Sequence, residues 1–322
     1  MLALIQGAAE LLPVSSSAHV IVAERLMGLD PSRADMVFLL VMLHTGTMFA
    51  VLVYFWKRWR SIWLSTSTPA ESTAGESRYH FLTMVILATA VTGIVGYGLK
   101  IFLEQVVLVR WMGRAKGEVE DLFREIPWVA TALFAVGVLI IVAGWRKQRA
   151  ERTKLTTVST LLIGLVQAVC LPFRGFSRSG ATISAALMCD VERARAEDFS
   201  FALAVVLTPP VIARGVYKLL KERALQSSGQ VLELLQPGLV GMVFSFLAGL
   251  VALKLLSAVL EKGRWRYFGY YCIIAALLMA AGIASGVLDA PETNPSDADQ
   301  VGVLNVVTSP VLPAPSELSR SE

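Results

Sequence analysis

Long apolar runs limit what this chain of 322 residues can fold into. Each run has about the 20 residues that an α-helix needs to cross the hydrocarbon core of a bilayer. The chain is 55% hydrophobic and 17% charged, with a mean hydropathy of +0.61, which excludes an ordinary soluble domain. The sequence therefore predicts an all-α polytopic membrane protein. Its six full transmembrane helices are expected at residues 36–56, 80–102, 127–145, 199–219, 237–260 and 267–287.

Two further apolar segments are interrupted at their centres. Residues 1–26 are broken by the sequence LPVSSSAH at 12–19, and residues 155–188 are broken by PFRGFSRSGATI at 172–183. Each apolar arm is too short to span a bilayer. A break at membrane depth is tolerated only where protein or a wet cavity covers the freed backbone groups. The two segments are therefore predicted to form re-entrant helical hairpins.

The order of these segments predicts an internal repeat. A gapless offset of 161 residues pairs Gln6 with Gln167 and Ser16 with Ser177, and it superimposes the two breaks. Each half then contains one hairpin and three full crossings. Because three is odd, the second half enters the membrane in the opposite sense, so the sequence predicts inverted repeats of about 1–145 and 155–288.

The remaining segments define the predicted domain organisation. Residues 1–288 are expected to form a single integral membrane domain, with an interfacial helix at 104–125, and residues 289–322 a disordered tail. The formal charge is only +4, and the basic residues lie in short loops beside the apolar runs. This pattern favours membrane lipids over nucleic acid as partners. The sequence allows a homodimer without specifying one.

The second break carries polar chemistry that is costly to bury. Ionisable side chains at membrane depth usually face a cavity or a partner, and they mark functional sites. Guanidinium groups, hydroxyls and glycine-exposed backbone N–H groups together suit a bound phosphate. The alternative is a plain loop with snorkelling arginines, which leaves the clustered hydroxyls unexplained. The residues predicted to bind an anionic substrate here are Arg174, Ser177, Arg178, Ser179, Gly180 and Thr182.

The first broken segment supplies groups for chemistry. Its polar residues are Gln6, Glu10, Ser15, Ser16, Ser17 and His19. Gln6 and Glu10 share one helix face, and Glu10 is interpreted as a ligand of a divalent cation, a general base, or merely the partner of an arginine. His19 is interpreted as an acid/base group beside the serines, the alternative being a structural histidine. A serine nucleophile needs an adjacent base or metal ion.

One polar residue lies outside the two breaks. His44, in the sequence LHTGT of the first full span, either lines the same cavity or hydrogen-bonds across helices. The sequence leaves both interpretations open.

With these motifs the chain resembles the undecaprenyl-pyrophosphate phosphatase family, also called the bacitracin-resistance protein family. QGAAELLPVSSSAH is similar to the family's Glu-x-x-x-Glu stretch followed by Pro-x-Ser-Ser-x-x-His, and GFSRSGATIS is similar to its second motif. The resemblance covers residues 4–287. It implies a multi-pass phosphatase of the bacterial inner membrane that hydrolyses undecaprenyl diphosphate to the monophosphate and so recycles the lipid carrier of cell-wall synthesis.

The resemblance also implies roles for single residues and a cofactor. Glu10, Ser16, His19 and Arg178 are the implied catalytic residues, and Glu10 is the implied ligand of a divalent cation, Mg²⁺ or Ca²⁺. A polyprenyl diphosphate is the implied substrate. The groups expected to contact it are Gln6, Ser15, Ser17, Arg174, Ser177, Ser179, Gly180 and Thr182.

Three features depart from the family pattern. Gln6 stands where the family has its first glutamate, Arg174 stands where a proline often precedes the glycine, and the first arm is short, so the natural start is expected upstream. The missing carboxylate keeps a second function in view, a transporter or flippase for a polyprenyl phosphate, because inverted repeats with broken helices are also a transporter architecture. A structural subunit without chemistry is disfavoured by the serine and arginine motifs.

Overall fold

The structure is a computed structural model that describes residues 1–29, 34–64, 78–105, 125–146, 155–221 and 228–288. All of them belong to one compact unit, Met1–Leu288. The predicted tail lies outside the described residues, as does almost all of the predicted interfacial helix at 104–125. Within the described ranges the regular structure is helical, and no β-strand occurs there.

The described residues contain ten helices. Their bounds are α1 Leu2–Leu11, α2 Ser16–Leu26, α3 Ala34–Leu64, α4 Arg78–Phe102, α5 Ile126–Trp145, α6 Thr157–Cys170, α7 Arg178–Met188, α8 Arg193–Lys221, α9 Ser228–Glu261 and α10 Arg266–Ala284. Six of them, α3, α4, α5, α8, α9 and α10, are long and apolar enough to cross a membrane. The predicted all-α architecture with six such helices is confirmed, and the protein is a multi-pass membrane protein.

All six of these helices begin before the predicted spans, and two of them begin at least six residues before. Helix α8 starts at Arg193 instead of 199, and α9 starts at Ser228 instead of 237. Pro237 therefore lies inside α9, as Pro209 and Pro210 lie inside α8. A proline inside a helix removes one backbone hydrogen bond. The apolar span within α9, Leu235–Glu261, agrees with the predicted 237–260, and the helix itself begins before that span.

Both breaks are shorter than the sequence suggested. Helix α1 ends at Leu11, and Leu12 is extended, as expected for a residue before proline. Ser15 and Ser177 are the N-caps of α2 and α7, and their side chains accept hydrogen bonds from Ala18 N and Gly180 N. Most of the predicted site residues of the two breaks therefore lie on the first turns of helices.

The N-caps also refine the internal register. Ser15 and Ser177 are 162 residues apart, one more than the offset that fits Gln6 and Gln167. Counted from the caps, the counterpart of Ser16 is Arg178, not Ser177. The pairing of Ser16 with Ser177 in the gapless alignment is therefore displaced by one residue.

Helix packing follows a regular scheme. Helix α1 packs on α9 and α6 packs on α4, while α3 contacts α8 and α5 contacts α10. Both of the latter pairs are antiparallel. Between α5 and α10, Gly144 lies against Arg266 and Gly137 lies against Gly269. Within α3 and α8, Phe55 stacks on Phe201 whereas the side chain of Val41, nearer the start of α3, lies at Gly215.

A buried polar network joins α3, α8 and α9. Arg58 donates to Glu197 at 3.1 Å and to Asp198 at 3.3 Å, and both carboxylates are buried. Ser257 donates to Glu197 and accepts a hydrogen bond from Tyr54 at 2.8 Å. Because each carboxylate has a partner, the cost of removing its charge from water is offset within the network.

We expect Gly46→Ala to destabilise the protein. A Cβ at this position would lie 2.3 Å from the carbonyl oxygen of Met242 on α9, so the two backbones would have to separate. Overpacking of this kind costs about 1–3 kcal/mol. Thermal unfolding in detergent measures the loss as a lower Tm. Gly93→Ala is the matched control, since nothing lies within 4 Å of its Cβ position, and a similar fall in both variants would contradict the prediction.

Candidate active site

Glu10 lies at the centre of the polar cluster, in the last turn of α1. Its Oε2 atom accepts a hydrogen bond from Ser16 Oγ at 2.5 Å, and its Oε1 atom lies 3.6 Å from Arg178 Nη2. About a fifth of each of the Glu10 and Arg178 side chains is exposed, at 20% and 21%. The break after α1 turns the chain back so that Ser16 meets Glu10. The arginine comes from the other broken segment.

Gln6 connects Glu10 to His44. The Gln6 Nε2 atom donates to Glu10 Oε2 at 3.1 Å and lies 3.3 Å from His44 Nε2. The two protons of one amide group serve both contacts. His44 Nδ1 lies 2.8 Å from the carbonyl oxygen of Leu40, which can only accept, so Nδ1 carries a proton, and in the neutral ring Nε2 accepts from Gln6. His44 on α3 thus forms a hydrogen bond across helices with Gln6 on α1, and this bond also connects it to the polar cluster.

Two hydrogen bonds join the breaks to each other. Gly175 N donates to Ser17 Oγ at 3.1 Å, and Ser179 Oγ donates to the carbonyl oxygen of Leu12 at 3.3 Å. Gly175 has a φ of +96°, and a Cβ there would lie 2.3 Å from the carbonyl oxygen of Val129 on α5. Glycine is therefore required at this point of close approach. These contacts hold α2 and α7 in the arrangement that brings Arg178 to Glu10.

The hydroxyl groups of Ser177 and Thr182 in the second break form hydrogen bonds within the protein. Thr182 is buried, and its hydroxyl bonds to the carbonyl oxygen of Arg178 at 2.8 Å and to Ser200 at 2.6 Å. Ser177 is used as the N-cap of α7, and Gly180 packs closely on Ile140. The structure places none of these three residues against Glu10. Arg174, the other arginine, is half-buried in the break itself.

His19 lies apart from the cluster. Its Nδ1 atom is 2.8 Å from the carbonyl oxygen of Ser15, and its Nε2 atom is 2.8 Å from the hydroxyl of Tyr271 on α10. Within the described part of the chain, no hydrogen bond joins His19 to Glu10, Ser16 or Arg178. The sequence offered no sign of Tyr271, which belongs to an apolar run far from either motif.

The polar cluster around Glu10 can hold a divalent cation only if a bound substrate supplies further oxygen atoms to the ion. The described ranges contain no group of three or more His, Cys, Asp or Glu side chains suited to a metal ion. Glu10 offers one carboxylate and Gln6 one amide oxygen. Mg²⁺ is commonly held by one or two carboxylates together with substrate phosphates. The residues present therefore fit a cation that is shared with a phosphorylated substrate.

Comparison with known proteins places the chain in a family. The model of a family described as bacitracin resistance protein BacA matches residues 1–278. The chain belongs to this family. Its relatives include Undecaprenyl-diphosphatase 2 of Acinetobacter baylyi, which is 51% identical over 276 residues, covering 85% of this chain and 93% of the relative. The undecaprenyl-diphosphatases of a Polaromonas species and of Bdellovibrio bacteriovorus are 31% and 30% identical, each covering 89% of this chain and 95% of the relative.

For this member of the BacA family, we expect Ser17→Ala to weaken the junction between the breaks. The change leaves the Gly175 N–H without its partner, and an unpaired buried donor costs about 1–3 kcal/mol. The Tm in detergent should fall. Thr131→Val is the control, because in the described part of the chain the Thr131 hydroxyl donates to the carbonyl oxygen of Pro127 in its own helix. An unchanged Tm for Ser17→Ala would show that the cross-break bond is unimportant.

Proposed function

We propose that this chain hydrolyses undecaprenyl diphosphate to undecaprenyl phosphate and inorganic phosphate, in the bacterial inner membrane. One observation carries the proposal: a serine hydroxyl donates to a carboxylate, and an arginine from another helix faces the same carboxylate. Membership of the BacA family and the names of its relatives support the same activity. They do not favour the transporter or flippase interpretation.

Glu10 and Ser16 are the proposed reacting pair. Glu10 accepts the proton of the attacking hydroxyl, which belongs to Ser16 or to a water molecule held in its place. The new O–P bond forms at the terminal phosphorus, the bond to the bridging oxygen breaks, and the electron pair leaves with undecaprenyl phosphate. If Ser16 attacks, water then releases phosphate from the serine. A phosphoserine trapped in a single turnover would distinguish the two nucleophiles.

Arg178 is the proposed phosphate-binding residue. Its guanidinium group suits two phosphate oxygens at once and neutralises charge that builds up during transfer. It is the first residue of α7, where unpaired backbone N–H groups also favour an anion. Ser17, Ser177 and Ser179 support this position through the cap and the cross-break bonds. A divalent cation, Mg²⁺ or Ca²⁺, bound by Glu10 together with phosphate oxygens would supply further charge neutralisation.

The other predicted residues take supporting roles in this proposal. Gln6 orients the Glu10 carboxylate, and Arg174 adds positive charge at the second break. Ser15 presents its carbonyl oxygen to His19, which is the proposed acid/base group for the leaving phosphate. Gly180 and Thr182 shape the helix that carries Arg178.

We also propose that the two broken segments are re-entrant hairpins within inverted repeats. The arms α1 and α6 have 10 and 14 residues, too few to span a bilayer. In this arrangement α1 corresponds to α6 and α4 corresponds to α9. The contact of α1 with α9 therefore has its counterpart in the contact of α6 with α4. Equivalent helices in the two halves, α3 with α8 and α5 with α10, run antiparallel, as a two-fold axis in the membrane plane requires.

Arg178→Ala should lower phosphate release from undecaprenyl diphosphate by about 10²–10³-fold, the usual effect of removing one group that stabilises transition-state charge. Phosphate released by purified protein in detergent with Mg²⁺ measures this. Arg146→Ala is the control, because Arg146 pairs with Asp190 away from the site. Without phosphate release from the unmodified protein the proposed activity fails; equal activity of Arg178→Ala and the unmodified protein removes only the assigned role.

Gln6→Glu should raise the rate and lower the Mg²⁺ concentration that gives half-maximal activity. The change replaces the amide that donates to Glu10 with a second carboxylate, and two neighbouring carboxylates bind a cation more tightly. Calcium binding, measured with radioactive Ca²⁺, checks the affinity without relying on turnover. Gln6→Ala is the matched control that removes the amide without adding charge. Unchanged cation dependence in Gln6→Glu would contradict a metal-binding role at this position.

A further inference from the structure

The imidazole of His19 is held by a residue from the other end of the chain. Tyr271 on α10 places its hydroxyl 2.8 Å from His19 Nε2, although 252 residues separate the two. The two rings are also stacked, with centroids 5.7 Å apart and planes 11° from parallel. Two independent contacts therefore fix both the position and the plane of the imidazole.

The hydrogen bonds specify which ring nitrogen carries the proton. The partner of His19 Nδ1 is the carbonyl oxygen of Ser15, which can only accept, so Nδ1 donates. In the neutral ring Nε2 is then the acceptor, and the Tyr271 hydroxyl donates to it. The lone pair on Nε2 is the part of His19 that is able to take up a proton.

The surroundings of this pair connect it to the first break. Ser15 has a φ of +66°, a left-handed backbone conformation that is strained for a residue with a Cβ. The residue after Tyr271, Cys272, donates from its thiol to the carbonyl oxygen of Pro13 at 3.3 Å. Two consecutive residues of α10 thus contact the first break: Tyr271 contacts the side chain of His19, and Cys272 contacts the backbone of Pro13.

We propose that Tyr271 is a positioning residue for the hydrolysis, which acts by fixing the plane of the His19 ring and the direction of Nε2 for its acid/base role. The proposal rests on the acid/base role assigned to His19 under the proposed function. The side chain of Tyr271 is half-exposed, so its hydroxyl is not required to satisfy a buried group. The neighbouring Tyr267 and Tyr270 contact each other and offer no such bond to the break.

A double-mutant cycle tests this proposal. Phosphate release from undecaprenyl diphosphate is measured for the unmodified protein, Tyr271→Phe, His19→Ala and the double variant. Phenylalanine keeps the ring and removes the hydrogen bond, so kcat should fall by about 3- to 10-fold, the factor typical of one neutral hydrogen bond, while KM stays unchanged. In the His19→Ala background the same change should cost nothing, because a residue that acts through His19 has nothing left to position.

Tyr270→Phe is the matched control, an adjacent tyrosine on the same helix that should keep full kcat. An equal loss from Tyr271→Phe in both backgrounds would overturn the proposal, since Tyr271 would then act independently of His19. No loss in either background would overturn it as well. If His19→Ala keeps full activity, the acid/base assignment itself fails, and an inactive unmodified protein contradicts the proposed hydrolysis instead.

A spectroscopic measurement gives a result that does not depend on turnover. The chain has three histidines, so nitrogen NMR of protein labelled at histidine, with His19→Ala to identify the signal, reports the tautomer of His19 directly. Both proteins should show the tautomer protonated at Nδ1, which the Ser15 carbonyl oxygen fixes, and Tyr271→Phe should shift the Nε2 resonance because that nitrogen loses its hydrogen bond. An identical His19 signal in both proteins would overturn the positioning role whatever the activities are.

Discussion

The structure depends on one ion pair that joins the two broken apolar segments. A carboxylate and a guanidinium group are each costly to place away from water, and each becomes tolerable when the other faces it. Glu10 is on the first broken segment and Arg178 on the second, with 3.6 Å between their closest atoms. The two breaks must therefore lie side by side. The arrangement of the remaining helices has to allow that approach.

The backbone of the breaks imposes a second requirement that the same residues meet. The caps Ser15 and Ser177 each accept from one N–H group in the first turn of their helix, and Ser17 and Ser179 pair with backbone groups of the opposite break. In hydrocarbon an unsatisfied N–H or C=O group costs several kcal/mol. The small hydroxyl residues that the sequence suggested as a phosphate-binding group are thus mostly used in hydrogen bonds to the backbone, and Arg178 is the remaining proposed contact with the substrate.

The sequence predicted the positions of the helices better than it predicted which residues face the site. Apolar runs of about 20 residues and a proline after Leu12 are local signals, and they located the six long helices and the first break. The face that a helical residue presents depends on where the helix begins, because each residue turns the helix by about 100°. Ser16 and Arg178 are each the first residue of a helix, which the predicted offset of 161 did not show, and Thr182 faces Ser200 in the interior.

Contacts between residues that lie far apart in the chain could not be predicted from the sequence either. Tyr271 meets His19 only because α10 packs beside the first break, and no local pattern distinguishes it from the tyrosines at 267 and 270. His44 carried a signal, a histidine within an apolar span, but its partners come from α1 and could not be read from its own helix. Pairings between separate helices are fixed by tertiary packing, which a single sequence does not contain.

Gln6 departs from the family motif, and the neighbouring side chains of Glu10 and His44 both contact its amide group. Its amide nitrogen donates to the carboxylate of Glu10 at 3.1 Å and reaches the neutral nitrogen of His44 at 3.3 Å. A carboxylate in its place has no protons to donate, so it would face Glu10 with like charge and would need a cation or a protonated His44 between them. The glutamine therefore keeps Glu10 paired in the absence of any ion. In this chain a hydrogen-bond donor stands where the resemblance implies the first family glutamate, and Glu10 and His44 are the partners of that donor.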